Sequence, residues 1–383
     1  MNKTILKIEE IISQSIINHN NIGLLSGLSG VALFYDYLYQ IYPSDNFKNK
    51  LLSITDRINN ILSEEFTSSS LCTGLAGFGI VLLRMENDVI EIDEQYFESI
   101  DLILLEDIKS ESAKKNYDFL HGSMGIAFYF IERYKQQKNT QISEILNDFS
   151  EDIINKINND FKDLLVTPVF ENSSCYYLGM AHGITSYLNF LIYLEIHFED
   201  LKFDIRESLT TCISFLKLHK NQNVISKQHY PNLILLGENR VIEPLLAWCQ
   251  GDLGISNALY NAGIYLNNEN LVSESVEMLA NIKNITIEES GIKDYAMCHG
   301  SIGVMMQYYL ASKKSNLDYS AEISNWHDIL KKQTNDFNTF LSFNSGNYFE
   351  EISLLDGLVG LGLGILTLEN KIDIEWLEIF NLH

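Results

Sequence analysis

Three side chains in the second half of this sequence, Cys249, Cys298 and His299, have the chemistry of a metal site. Two soft thiolates and an imidazole are a good zinc set, and three protein ligands leave the fourth tetrahedral position open for a reactant. The two cysteines are 49 residues apart, so the spacing is not that of a zinc finger, and only the fold can join them. A vacant position beside two thiolates suits a third sulfur: coordination strips a thiol of its proton at neutral pH and presents a nucleophile. Thiol alkylation is therefore more natural here than water activation, which favours His- and carboxylate-rich sites. His182 can shuttle a proton near neutral pH, and Asp118 can orient it. The blander alternatives are a core histidine for His182 and a helix cap for Asp118. His121 and Asp356 read equally well as caps or loop residues, and Cys72, Cys175 and Cys212 as packing.

The elements that must position these residues follow from an internal repeat. Seven segments share Gly-x-x-Gly or a near variant followed by an apolar run. Their first glycines are Gly27, Gly74, Gly122, Gly183, Gly251, Gly300 and Gly357, separated by 47, 48, 61, 68, 49 and 57 residues. The fourth copy has Ser186 in place of its second glycine. Each apolar run, such as Val31–Tyr35 or Ile126–Phe130, is apolar on nearly every face, which marks a buried helix. Amphipathic surface helices are expected between the motifs, over Ile5–Ile17, Phe47–Leu62, Ile142–Ile157, Leu201–Leu218, Leu271–Ile282 and Ala321–Leu330. Alternating buried and surface helices predict an all-α fold, an α/α toroid of seven inner and seven outer helices in a closed double ring, with an open solenoid as the alternative. The motif glycines are expected where the inner helices begin. The extra residues of the two longest intervals read as loops or a longer helix. Residues 1–383 read as a single domain built from seven helix-pair repeats.

Composition narrows the partners. Lys+Arg is 27 against Asp+Glu 51, a net charge of −24, which disfavours nucleic acid and anionic membranes and favours cationic peptides. An odd count of five cysteines argues against a disulfide scaffold. The start of the chain lacks a signal-peptide core, and the most apolar stretch, Leu354–Leu368, is too short to span a bilayer. A cytoplasmic setting is expected.

In its motifs Trp248-Cys249-Gln250-Gly251, Cys298-His299-Gly300, Ala181-His182-Gly183 and Tyr117-Asp118-Phe119-Leu120-x-Gly122, the sequence resembles the lanthionine synthetase C-like cyclases. The resemblance implies zinc held by Cys249, Cys298 and His299, with His182 and Asp118 as the active-site His and Asp. It implies intramolecular addition of a peptide cysteine to dehydroalanine or dehydrobutyrine, giving a thioether ring in a ribosomally made peptide. The implied partners are a dehydrated precursor peptide and a dehydratase and transporter complex at the membrane. Two positions depart from the nisin-type members: Leu245 stands where they carry Arg, and Gln250 where they carry Tyr. Arg240 or the zinc itself is the candidate replacement for that Arg. Other readings stay open: a zinc protein that binds peptide or glutathione without cyclising, a prenyltransferase-type toroid, or an (α/α) glycoside hydrolase needing two facing carboxylates.

Overall fold

The computed structural model describes residues 1–64, 68–85, 89–159, 166–170, 173–220, 227–236, 240–241 and 245–383, with backbone alone for 18, 166–170, 173 and 240–241. It is mainly helical. Among the described residues the seven motif helices are α2 (Leu28–Ile41), α4 (Leu75–Arg84), α6 (Ser123–Gln136), α8 (Ile184–His197), α10 (Asp252–Tyr265), α13 (Ser301–Ser315) and α15 (Leu358–Leu368). Between them run α1 (Lys3–Ser15), α3 (Asp45–Glu64), α5 (Glu94–Ala113), α7 (Thr140–Asn159), α9 (Arg206–Leu218), α11 (Glu269–Asn281) and α14 (Ser320–Gln333), with a short α12 at Ile287–Ser290. Six of the intervening helices coincide with expected amphipathic segments. α5 was not among them.

The two classes differ in burial as their sequences require. Along α4 every residue from Leu75 to Leu83 is buried. On α1 only Ile5, Ile8 and Ile12 are buried, a single stripe at helical spacing. Each such side chain contributes about 1.5–3 kcal/mol when fully removed from water.

All seven first glycines sit directly before their helices, as expected. The local reason is a loop that folds back on itself. The first helical N–H donates to a carbonyl seven residues earlier, as in Leu28 to Asn21 (2.8 Å), Leu75 to Ser68 (2.9 Å) and Ser123 to Asn116 (2.9 Å). A Cβ on Gly74 would lie 2.1 Å from the Ser68 oxygen. Gly251 has in addition φ +90°, a left-handed conformation that a side chain resists. The close approach between repeats falls instead on the second glycine: a Cβ on Gly77 would lie 2.7 Å from the backbone of Leu24. In the fourth repeat the side chain of Ser186 is accommodated, and Asn381 Nδ2 donates to the Ser186 carbonyl at 2.9 Å.

The chain forms two compact units, Met1–Phe149 with Phe337–Asp373, and Ser150–Asp336 with Ile374–His383. In the first unit the motif loops are hydrogen-bonded in series: Leu355 N to Leu25 O (2.8 Å), Leu25 N to Cys72 O (3.2 Å), Cys72 N to Leu120 O (2.9 Å). In the second, Ala181 N donates to Cys249 O (3.4 Å) and Cys249 N to Cys298 O (3.3 Å).

The two long intervals differ from expectation. They carry a four-stranded antiparallel sheet, β1 (Val166–Phe170), β2 (Ser173–Tyr177), β3 (Leu233–Leu235) and β4 (Arg240–Val241), paired in that order. The β-branched and aromatic content of these stretches favours strands, but each is too short for its period to show in sequence. A hairpin, β5 (Ser342–Asn344) and β6 (Asn347–Phe349), precedes the last motif. Among the described residues no helix is long and apolar enough to cross a membrane.

Candidate metal centre

The loops before α10 and α13 bring the three expected ligands together. The ligand atoms of Cys249, Cys298 and His299 all lie within 4.8 Å of one another, and all three residues are half-buried. The backbone explains the meeting: Trp248 N and Cys249 N both donate to the Cys298 carbonyl, at 3.1 and 3.3 Å. The same loop-to-loop register that pairs other repeats thus sets equivalent positions of repeats five and six side by side. Trp248 anchors the arrangement. It is fully buried, its Nε1 donates to the Phe380 carbonyl at 2.9 Å, and its ring meets that of Phe380 edge-on at 5.1 Å.

Two soft sulfurs and an imidazole, half-buried and close together, could hold one metal ion. Behind it stands Asp294, which sequence reading missed. Its Oδ2 lies 3.6 Å from His299 Nε2, and its Oδ1 accepts from Ala296 N at 3.0 Å. Asp294 is only 1% exposed, and no sequence pattern singles it out from the other carboxylates.

A second buried carboxylate, Asp252, heads α10. It accepts from His229 N (2.7 Å), Tyr230 N (3.0 Å) and His229 Nδ1 (2.8 Å). These contacts fix the 229–230 segment beside the Cys249 loop. An acid directly after Gly251, where other repeats carry apolar or hydroxyl residues, was its signal in sequence.

His182 is exposed, on the loop that donates from Ala181 N to Cys249 O, with its ring 5.9 Å from that of Tyr177. Asp118 belongs to the first unit. Its Oδ1 accepts from Leu120 N (3.0 Å) and His121 N (2.7 Å), so it shapes the turn of repeat three. His121 is exposed and Asp356 half-buried. Cys72 has 3% exposure, and its Sγ donates to Ser26 Oγ at 3.7 Å. Burial pushes the Cys72 thiol up to about 11, and the charges of Asp356 and Asp118 add to the rise. It is a protonated core thiol, in keeping with its reading as packing. Cys175 and Cys212 are fully buried. Leu245 is half-buried, with its N–H on Asn232 Oδ1 at 2.8 Å. Gln250 Oε1 is buried without a hydrogen bond. The side chain of Arg240 lies outside the described residues.

Comparisons with known proteins bear on the fold and the family. The solved structure of nisin cyclase superposes with a TM-score of 0.80 at 19% identity, covering 98% of this chain and 97% of that one. The likeness shows the fold, the all-α toroid class expected from the repeats. Among curated protein sequences none matches. The model of the lanthionine synthetase C-like protein family matches residues 19–381. Since that match spans nearly every residue, the chain belongs to the lanthionine synthetase C-like family.

Proposed function

We propose that the protein is a zinc-dependent lanthionine cyclase, acting as one catalytic domain in the cytoplasm. The observation that carries this reading is the convergence of two sulfurs and one imidazole within 4.8 Å in a half-buried setting. Zinc fits this soft donor set, and three ligands leave room for a fourth. Bound there, zinc would supply the Lewis acidity that keeps a substrate thiol in its thiolate form at neutral pH.

The substrate is a dehydrated precursor peptide. Its thiolate sulfur bonds to the β-carbon of dehydroalanine or dehydrobutyrine, and the alkene π pair moves toward the carbonyl as an enolate. The α-carbon then takes a proton. His182, exposed on a loop tied to the Cys249 loop, is assigned as the group that holds and delivers that proton. Asp118 is assigned to orient or charge this acid on the family resemblance. The thiol proton lost at the start balances the one gained, so the peptide mass does not change. The net charge of −24 favours capture of a cationic core peptide. Dehydratase and transporter partners follow from the same reading.

Incubation with a dehydrated precursor, thiol blocking and mass spectrometry test the reaction. Cyclised cysteines escape the label; uncyclised ones gain it. Cys298→Ala is expected to lose both zinc and thioether formation, and retention of both overturns the assignment. Leu245, in place of the Arg of nisin-type members, favours one other reading: a zinc protein that binds peptide or glutathione without cyclising. Full labelling of a peptide that nonetheless binds the zinc-loaded protein would favour it.

A further inference from the structure

The two sulfurs of the candidate metal centre are also placed to react with each other. The ligand atoms of Cys249 and Cys298 lie within 4.8 Å, and both residues are half-buried. Their main chains meet directly, since Cys249 N donates to the Cys298 carbonyl at 3.3 Å. A disulfide joins residues whose Cα atoms are about 4.4–6.8 Å apart. A direct N–H···O=C contact between the two residues keeps their Cα atoms close to that range. Closing the sulfur gap therefore takes side-chain rotation more than loop movement.

The backbone around the pair is held on both sides. Trp248 N shares the Cys298 carbonyl at 3.1 Å, and the Trp248 indole is anchored on the Phe380 carbonyl. Ala296 N, two residues before Cys298, donates to Asp294 Oδ1 at 3.0 Å. The other three thiols are kept out of the chemistry. Cys175 and Cys212 have no exposed surface and Cys72 only 3%. Burial raises all three above the ordinary thiol range, Cys72 to about 11. The thiolate is the form that attacks an oxidant, so protonated core thiols stay inert where half-buried sulfurs do not. A second sulfur at hand also decides the product. It catches the first oxidation step as a disulfide before sulfinic acid can form.

We propose that Cys249 and Cys298 are a redox modification site: a hydroperoxide converts them into a disulfide, which withdraws both sulfurs from the metal centre. With hydrogen peroxide, the thiolate of one cysteine attacks an oxygen, the O–O bond breaks, and a sulfenic acid and water form. The thiolate of the other attacks that sulfur. The S–S bond forms, the S–O bond breaks, and the departing hydroxide takes a proton to become a second water. The peroxide gains the two electrons that the sulfurs lose. Exchange with a small thiol reverses the bond. Once joined, the sulfurs are no longer thiolates, and the imidazole of His299 alone is a poor site for a soft metal ion. The pairing rests on the sulfur geometry and is independent of the cyclase reading.

Stepwise addition of hydrogen peroxide to the full chain, once loaded with zinc and once stripped by a chelator, tests this. Unreduced peptides are then mapped by mass spectrometry. Both forms are expected to yield a linked pair of peptides carrying Cys249 and Cys298, two hydrogens lighter than the separate thiols. Two of the five free thiols are lost with it. In the loaded form one zinc ion per disulfide is expected to pass to a chelating dye, and dithiothreitol with added zinc to restore thiols and metal together. The stripped form decides the pairing by itself, so a chain that takes up no zinc refutes the function proposed above without touching this test. Sulfinic acid on either residue in place of the disulfide overturns the proposal. So does a link to Cys72, Cys175 or Cys212, a link between two chains, or five unchanged thiols in the stripped form. A loaded form that keeps its zinc and its thiols while the stripped form oxidises overturns the withdrawal of the sulfurs from the metal.

Discussion

His299 illustrates how one imidazole serves two contacts. Nε2 lies 3.6 Å from Asp294 Oδ2, and the ligand atom of His299 lies within 4.8 Å of the sulfurs of Cys249 and Cys298. A carboxylate there fixes the ring and raises its basicity as a ligand. Asp294→Asn is therefore expected to weaken zinc about 10–100-fold without unfolding the protein, as read by competition with a chelating dye. An unchanged zinc affinity would show that Asp294 serves only its own loop. The cysteines make a second prediction. Cys72, Cys175 and Cys212 are buried, and burial raises all three thiols, Cys72 to about 11. Iodoacetamide at neutral pH is expected to spare these three in the folded protein. Cys249 and Cys298 are expected to react only once a chelator has removed zinc. Labelling of Cys72 at the same rate as Cys298 would contradict the division into core and ligand thiols. The meeting of Cys249, Cys298 and His299 was legible because repeats five and six place Cys at equivalent positions. Asp294 was not, since nothing in a lone sequence says which carboxylate turns toward a given histidine.

At the scale of elements, the glycines carry the fold. A Cβ on Gly79 would lie 2.4 Å from the Tyr129 ring, and one on Gly77 2.7 Å from Leu24 N. Alanine at either position forces α4 away from a neighbour, at an expected cost of about 2–3 kcal/mol. Gly346 is the control. Its φ is +88° and nothing lies within 4 Å of a Cβ there. Gly346→Ala is expected to cost only about 1 kcal/mol of backbone strain. Chemical denaturation of the three variants measures the contrast, and equal losses would refute it. The motif helices were legible because their burial is uniform and each starts at a glycine. α5 escaped because Leu102 and Ile103 add exposed apolar residues to its outer face, 60% and 42% accessible, and blur the stripe. The sheet escaped because strands of two to five residues leave no period to read.

The whole molecule carries a net charge of −24, and this sets its response to alkali. Burial raises the phenols of Tyr35, Tyr230 and Tyr308 above the ordinary tyrosine range. A group whose folded value is raised contributes stability that is intact below its unfolded value, about 10 for tyrosine, and is lost as pH rises past it. Lysines lose their charge over the same interval, so self-repulsion grows as well. The melting temperature is expected to fall steeply above pH about 10, and added salt to restore part of the loss by screening. A melting temperature that is flat from neutral pH into that range would refute the prediction.

The hydrogen bond from Leu355 to Leu25 has a consequence for biosynthesis. One compact unit is assembled from residues 1–149 and 337–373, so its first repeat lacks a neighbour until most of the polypeptide has left the ribosome. Contacts this distant in sequence form late. Truncation before residue 337 should strand the opening helices with an uncovered apolar flank, a nascent species that chaperones would recognise.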